Sequence, residues 1–130
     1  MTARKDILGY EIVEGDDVPL TWTITDSTGA VYDFTGVTKA FFTIKKSRSD
    51  DDDDALIGPL NTADDPTQIE YNYPTADAGQ IWVELTSGQT EDIAARGLCW
   101  YDYRVIKAGK VNTIVRGQIS FEHETTDETS

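Results

Sequence analysis

Cysteine, histidine and positive charge are all scarce in this chain. Its 130 residues include one Cys and one His. The single thiol, Cys99, excludes an internal disulfide and a four-cysteine zinc site, and it suits a reducing compartment. Long apolar runs are missing too, since nothing approaches the ~18 residues of a membrane-crossing helix. Residues 1–10 hold Arg4, Lys5 and Asp6 before a short apolar pair, without the extended apolar stretch of a secretory signal. The expected place of synthesis and residence is therefore a cytoplasm. Lys and Arg number 11 against 24 Asp and Glu, giving a formal net charge of −13. That balance argues against nucleic acid, whose affinity comes from clustered Lys and Arg. It also argues against anionic membranes. It keeps copies apart in solution and points to a basic partner or an assembled site.

What the chain does have is apolar side chains (38%) and aromatics (10%), enough for a real core in one domain of ordinary size. They recur with period two, the signature of half-buried strands. Leu20, Trp22 and Ile24 alternate with Thr21, Thr23 and Thr25. Asp26-Ser27-Thr28-Gly29 then reads as a turn, because Asp and Ser bond their own backbone and Gly allows positive φ. Residues 30–34 read as a short strand. Residues 37–46 follow, with Ala40, Phe42 and Ile44 on one face and Lys39, Phe41, Thr43 and Lys45 on the other. After an acidic loop at 47–54 and a short apolar piece at 55–57, residues 61–66 read as another loop. Further strands are expected over 67–73, 80–86, 98–107 and 111–122, with a hairpin turn at 108–110 and a short helical turn or corner at 90–96. Gly117 marks a bulge or a close contact.

Seven to nine short strands with a turn about every ten residues predict an all-β fold, an antiparallel β-sandwich. The order Ile93, Gly97, Tyr101 resembles the tyrosine corner of immunoglobulin-like sandwiches and makes that the expected type. The domain is expected over residues 10–122, after an N-terminal arm at 1–9 and before an acidic, flexible tail at 123–130. Leu20, Trp22, Ile24, Phe42, Ile44, Val83, Leu85, Tyr101, Tyr103 and Val115 are the expected core.

Few residues suggest chemistry. The run Asp50, Asp51, Asp52, Asp53, Asp54 offers carboxylates to a hard cation. Against a helix–loop–helix calcium loop it fails, because Ala55 stands where Gly is needed and Asn61 where the bidentate Glu is needed. A mobile, self-repelling loop is the expectation, with no metal bound. Asp64 and Asp65 lie nearby in sequence. His123 sits between two Glu in the tail, where nothing holds an imidazole for catalysis. Cys99 reads as an inert buried thiol. Asp102, between Tyr101 and Tyr103, comes closest to a carboxyl in an apolar setting. Alternation places it outward with Trp100 and Arg104, in a cross-strand ion pair. No catalytic residue and no cofactor are expected. Phe41, Trp82 and Trp100 fall on the polar phase of their strands. Large aromatics there suggest a protein interface on an outer sheet face.

Gly15-Asp16-Asp17 leads into an alternating strand. Asp26-Ser27-Thr28-Gly29 and Tyr32-Asp33-Phe34-Thr35-Gly36 follow. Later come the stretch from Gly97 to Val105, then Gly109-Lys110-Val111, then a last strand through Gly117. This ordered set resembles the small β-sandwich domains of tailed-phage virions, typified by the N-terminal domain of baseplate upper proteins. The resemblance spans roughly residues 10–122, by pattern. It implies a docking module without catalytic residues, a virion location and assembly from the host cytoplasm. With no fibre region after the sandwich, the expected role is a capsid decoration or cement protein, or a small neck, tail or baseplate adaptor. Its partners would be capsid, neck or tail subunits, or a second copy of the chain. The alternative is a carbohydrate-binding module that stacks sugars on surface aromatics. An enzyme is the least supported class, because no set of nucleophile, base and stabiliser assembles.

Overall fold

Leu20, Trp22 and Ile24 are buried while Thr21 and Thr23 are exposed. The alternation along this stretch is that of a strand with one face in a core. The computed structural model describes residues 2–3, 11–13, 17–73, 79–91 and 97–122. Its strands are β1 (Thr2–Ala3), β2 (Glu11–Val13), β3 (Val18–Thr25), β4 (Val37–Lys45), β5 (Ile57–Asn61), β6 (Ile69–Tyr73), β7 (Gln80–Leu85), β8 (Gly97–Lys107) and β9 (Lys110–Glu122). Helix among the described residues amounts to α1 (Ser87–Glu91) and a 3-10 turn at Asp52–Asp54. The strands form two sheets in the orders β1-β3-β7-β6 and β2-β9-β8-β4-β5. Pairing is antiparallel except where β2 runs parallel to β9. The protein is an all-β sandwich, and each of the ten expected core residues is buried between its sheets.

Three rings hold the middle of that core. Trp22, 1% exposed, projects from the four-stranded sheet. It stacks on Tyr101 with ring centroids 5.4 Å apart and lies 6.0 Å from Phe42. Both partners belong to the five-stranded sheet. Gly117 faces Tyr101 across β8 and β9. A Cβ there would lie 2.9 Å from the Tyr101 hydroxyl oxygen and 3.1 Å from its ring, so this glycine is a close contact rather than a bulge. Two tyrosine hydroxyls also tie the sheets together. Tyr103 donates to the Glu70 carbonyl at 2.8 Å, and Tyr71 donates to the Val37 carbonyl at 3.0 Å. Burial pushes the Tyr103 hydroxyl well above the ordinary tyrosine range, which keeps it a donor.

The turns follow their chemistry. The Asp26 carboxylate accepts from the Thr28 N–H, the Thr28 hydroxyl and the Ala30 N–H, and Gly29 has φ +87°. Lys107 and Lys110 close a two-residue hairpin over Ala108 (φ 53°) and Gly109 (φ 77°), the type I′ geometry that suits strand twist.

Three stretches depart from expectation. Residues 30–34 make no strand; only one bridge, Val31 to Thr25, forms. The chain leaves the sheet edge because Phe34 drops into the core and stacks on Tyr71 at 5.8 Å. An Asp33–Thr35 turn then redirects it. Conversely, Ile57–Asn61 is a strand where a short apolar piece and a loop were expected. Ile57 and Leu60 are both buried, three positions apart, because β5 slips register against β4 between Leu60–Phe42 and Ile57–Ile44. Gly58 makes this possible with φ +85°; a Cβ there would meet the Phe42 carbonyl oxygen at 2.5 Å. In β9 a register shift opposite Tyr103 and Arg104 turns both Ile114 and Val115 inward, a bulge that simple alternation misses. The helical turn expected over 90–96 meets α1 (Ser87–Glu91) only at residues 90–91, the helix starting three residues earlier than expected; residues 92–96, including the corner at Ile93, lie outside the described residues. So do the tail with His123 and most of the arm at 1–9, of which Thr2–Ala3 pairs with β3.

Replacing Trp22 with Ala should cost about 3–5 kcal/mol, as large core aromatics do. Gly117→Ala should cost about 1–3 kcal/mol, because the added methyl must displace a buried ring. Urea denaturation of both variants measures this; an unchanged midpoint for either would show that the ring cluster does not hold the two sheets.

Candidate docking face

The five-stranded sheet sends its second set of side chains outward. Across β4 and β8 the facing pairs are Phe41–Arg104, Thr43–Asp102 and Lys45–Trp100. Across β8 and β9 they include Asp102–Arg116, Arg104–Thr113 and Ile106–Val111. Phe41 and Trp100 therefore share one outer face, four positions apart along paired strands. Trp82 does not join them. It lies on β7 in the other sheet, between Thr21 of β3 and Glu70 of β6. Phase along β4, β7 and β8 was legible in the sequence, but the sheet to which each strand belongs was not.

The face has two ends. At one, Phe41, Pro59, Ile106 and Val111 line a hollow of about 280 Å³, closed off by Thr43, Asp52, Asp102 and Arg104. Val111 is 61% exposed, the highest value among the exposed large apolar side chains of the described residues. Sequence reasoning missed Val111, Ile106 and Pro59 here, because β5 was not expected and the bulge in β9 hid which residues share this face. At the other end a smaller hollow is lined by Lys45, Arg48, Trp100, Asp102, Arg104, Thr113 and Arg116. The Arg48 guanidinium lies over the Trp100 ring, 4.5 Å from its centre, and the Lys39 ammonium lies 5.3 Å from the Phe41 centre. Cations so placed interact with the negative ring face by ~0.5–1 kcal/mol each at exposed sites. Thr43, between the two ends, is buried beneath these long side chains.

Asp102 sits at the junction of the hollows. Its side chain is 24% exposed and one of its oxygens lies 3.7 Å from Arg104 Nε. The ion pair runs along β8 to a residue two positions away, rather than to a cross-strand partner. Arg116, directly across, acts only through space. Burial pushes the Asp102 carboxyl above the usual carboxylate range, against the pull of Arg104 and Lys45. The sequence placed this acid outward but did not show that neighbouring side chains would cover it.

The acidic run folds back on its own lysine. Lys45 Nζ lies 2.9 Å from Asp52 Oδ1 and donates to the Asp50 carbonyl at 2.8 Å. One carboxylate oxygen and one carbonyl oxygen of the loop are thus engaged by an ammonium. Asp64 and Asp65 are used locally: Asp64 accepts from the Asn61 side-chain amide and Asp65 from the Asn61 N–H. Among the described residues, no three His, Cys, Asp or Glu side chains converge as metal ligands. Cys99 is fully buried, and burial raises its pKa, which keeps it a neutral thiol. No described helix is long and apolar enough to cross a membrane.

Comparison with protein-family models and with curated proteins finds no match.

The Asp102 shift has a testable sign. Its folded pKa exceeds its unfolded one, so its stabilising share is full below the unfolded value and is lost as pH rises through the folded one. Asp102→Asn should therefore be at least as stable as the parent at neutral pH. The parent should gain on it as pH falls through the raised folded pKa, the gain being complete near the ordinary aspartate value of about 4. Paired denaturation curves at several pH values check this; a parent that instead loses ground on acidification would mean that Arg104 outweighs burial.

Proposed function

We propose that this chain is a non-enzymatic docking domain of a tailed-phage virion, a capsid decoration or cement protein or a small neck, tail or baseplate adaptor. The observation that carries the docking part is the outer face of β5-β4-β8-β9. It joins an exposed apolar hollow to a ring of charged side chains over partly buried Phe41 and Trp100. Interfaces concentrate their energy in such centres, where a few aromatics are desolvated within a polar rim. The virion part rests on the ordered turn and strand motifs from Gly15 to Gly117. The strand order supports an immunoglobulin-like reading: β1-β3-β7-β6 corresponds to A-B-E-D and β9-β8-β4-β5 to G-F-C-C′ of such domains.

A second reading, carbohydrate binding, has Trp100 beside Asp102 and Arg104 in its favour. Sugars stack on an open aromatic face, however, and Arg48 already covers one face of Trp100. Docking to protein is the better account.

The test is binding of the purified chain to virions of the phage that encodes it. Phe41→Ala and Val111→Asp should each weaken binding about tenfold or more, ~1.4 kcal/mol. Trp82→Ala, on the opposite sheet, should change it little. Undiminished binding by both face variants, or binding to polysaccharide in place of virions, would overturn the reading.

A further inference from the structure

The chain is acidic as a whole, but the docking face is not. Four cations, Lys45, Arg48, Arg104 and Arg116, line its two hollows, against two carboxylates, Asp52 and Asp102. Over the whole chain the ratio is reversed, 11 Lys and Arg against 24 Asp and Glu. Asp52 engages Lys45 and Asp102 engages Arg104. That leaves the two exposed guanidiniums, Arg48 and Arg116. Neither has a carboxylate partner in contact among the described residues, and Arg48 rests on the Trp100 ring. Guanidinium groups recognise carboxylates through paired N–H donors.

We infer that this face takes an acidic, extended segment of a partner protein, with a carboxylate on Arg48 and Arg116 and an apolar side chain in the Phe41, Ile106, Val111 hollow. The inference rests on the docking reading and names the partner's chemistry. The spacing follows from the sheet. Arg48 rests on Trp100, whose row with Lys45 is four positions from the Phe41–Arg104 row on β4, and Arg116, opposite Asp102, is two positions from it. At ~3.3 Å per residue these separations are about 7–13 Å. An extended segment spans them with its acid and its apolar anchor about two to four residues apart. A nucleic-acid backbone is the less favoured polyanion. Asp102 stands in the middle of the face and Asp52 at its edge, so phosphates spaced continuously along the face would meet both carboxylates, whereas a single acid can avoid them.

The experiment selects random short peptides, displayed on yeast, against the full-length chain. Enriched peptides are expected to share an Asp or Glu about two to four residues from an aliphatic or aromatic residue. Replacing both Arg48 and Arg116 with Gln should weaken them about fivefold or more, the size of two solvent-facing ion pairs. Both arginines are exposed, so the double variant should keep the parent's melting temperature. The inference is overturned if the enriched peptides lack acids, if nothing is enriched, or if acidic peptides bind the Arg48→Gln/Arg116→Gln variant equally well. Tighter binding of oligothymidylate than of any selected peptide would overturn it in favour of nucleic acid. Apolar peptides that are lost with Val111→Asp would leave the docking reading standing while removing the acidic partner. Failure of Phe41→Ala and Val111→Asp to affect virion binding would remove the docking reading itself.

Discussion

The indole of Trp22 is the constraint on which the rest of the sandwich depends. It is the largest fully buried side chain, and it crosses from one sheet to rest against Phe42 and Tyr101 of the other. Stacked sheets lie ~10 Å apart, and an aromatic ring from each side fills that gap without voids. Tyr101 can lie flat enough to receive the indole because Gly117, its cross-strand neighbour, has no side chain. The cluster thereby fixes the registers of β8, β9 and β4 relative to β3. Once they are fixed, alternation determines what the outer face shows: Phe41, Thr43 and Lys45 on β4, and Trp100, Asp102 and Arg104 on β8.

Irregularities in the sheet then complete the site. The bulge in β9 turns Ile114 and Val115 inward together. One extra residue reverses the phase that follows, so Thr113 and Arg116, three apart, both line the outer hollow. The register slip of β5 buries Ile57 and Leu60 while bringing Pro59 to the apolar end of the face. Neither hollow would have this lining in a perfectly regular sheet. Pro59 also suits its place on an edge strand, where a missing N–H discourages open-ended pairing with another chain.

How much of this could be read from the chain depends on the range of the interaction concerned. Asp26 and Gly29, or Ala108 and Gly109, specify their turns through bonds and dihedral angles spanning a few residues. Those turns stand where the sequence put them. The inward phase of Leu20, Trp22 and Ile24 is likewise a local pattern. Ile57 and Leu60 show the limit: their common burial needs a partner strand to slip, and nothing within β5 signals that slip apart from Gly58. Phe34 shows another, since an aromatic in a short alternating stretch fits an edge strand as well as a side chain dropped into the core. The separation of Trp82 from Trp100 is wholly non-local. Each strand reveals which side chains oppose one another, but the choice between two sheets is made by pairing across the whole chain. Asp102 was placed outward correctly. Its raised pKa was not legible, because its burial comes from side chains on β4, β9 and the loop after β4.

The contrast between whole-chain and local charge is a matter of distance. In physiological salt the Debye length is about 8 Å, much shorter than the span of a domain this size. Beyond that length a partner experiences a largely screened, negative molecule that resists clustering with its own kind. Within it, the nearest groups dominate, and on this face four guanidinium and ammonium groups around two aromatic rings outnumber the carboxylates of Asp52 and Asp102. Screening therefore hides the repulsion of the distant acids while leaving contact pairs much less affected. Asp102 adds discrimination to that attraction. A partner carboxylate set directly on it meets a partly buried like charge, whereas one displaced toward Arg48 and Arg116 meets two cations with no carboxylate in contact among the described residues. The face can thus favour one register of an extended segment over its neighbours, because specificity comes from what repels as well as from what attracts.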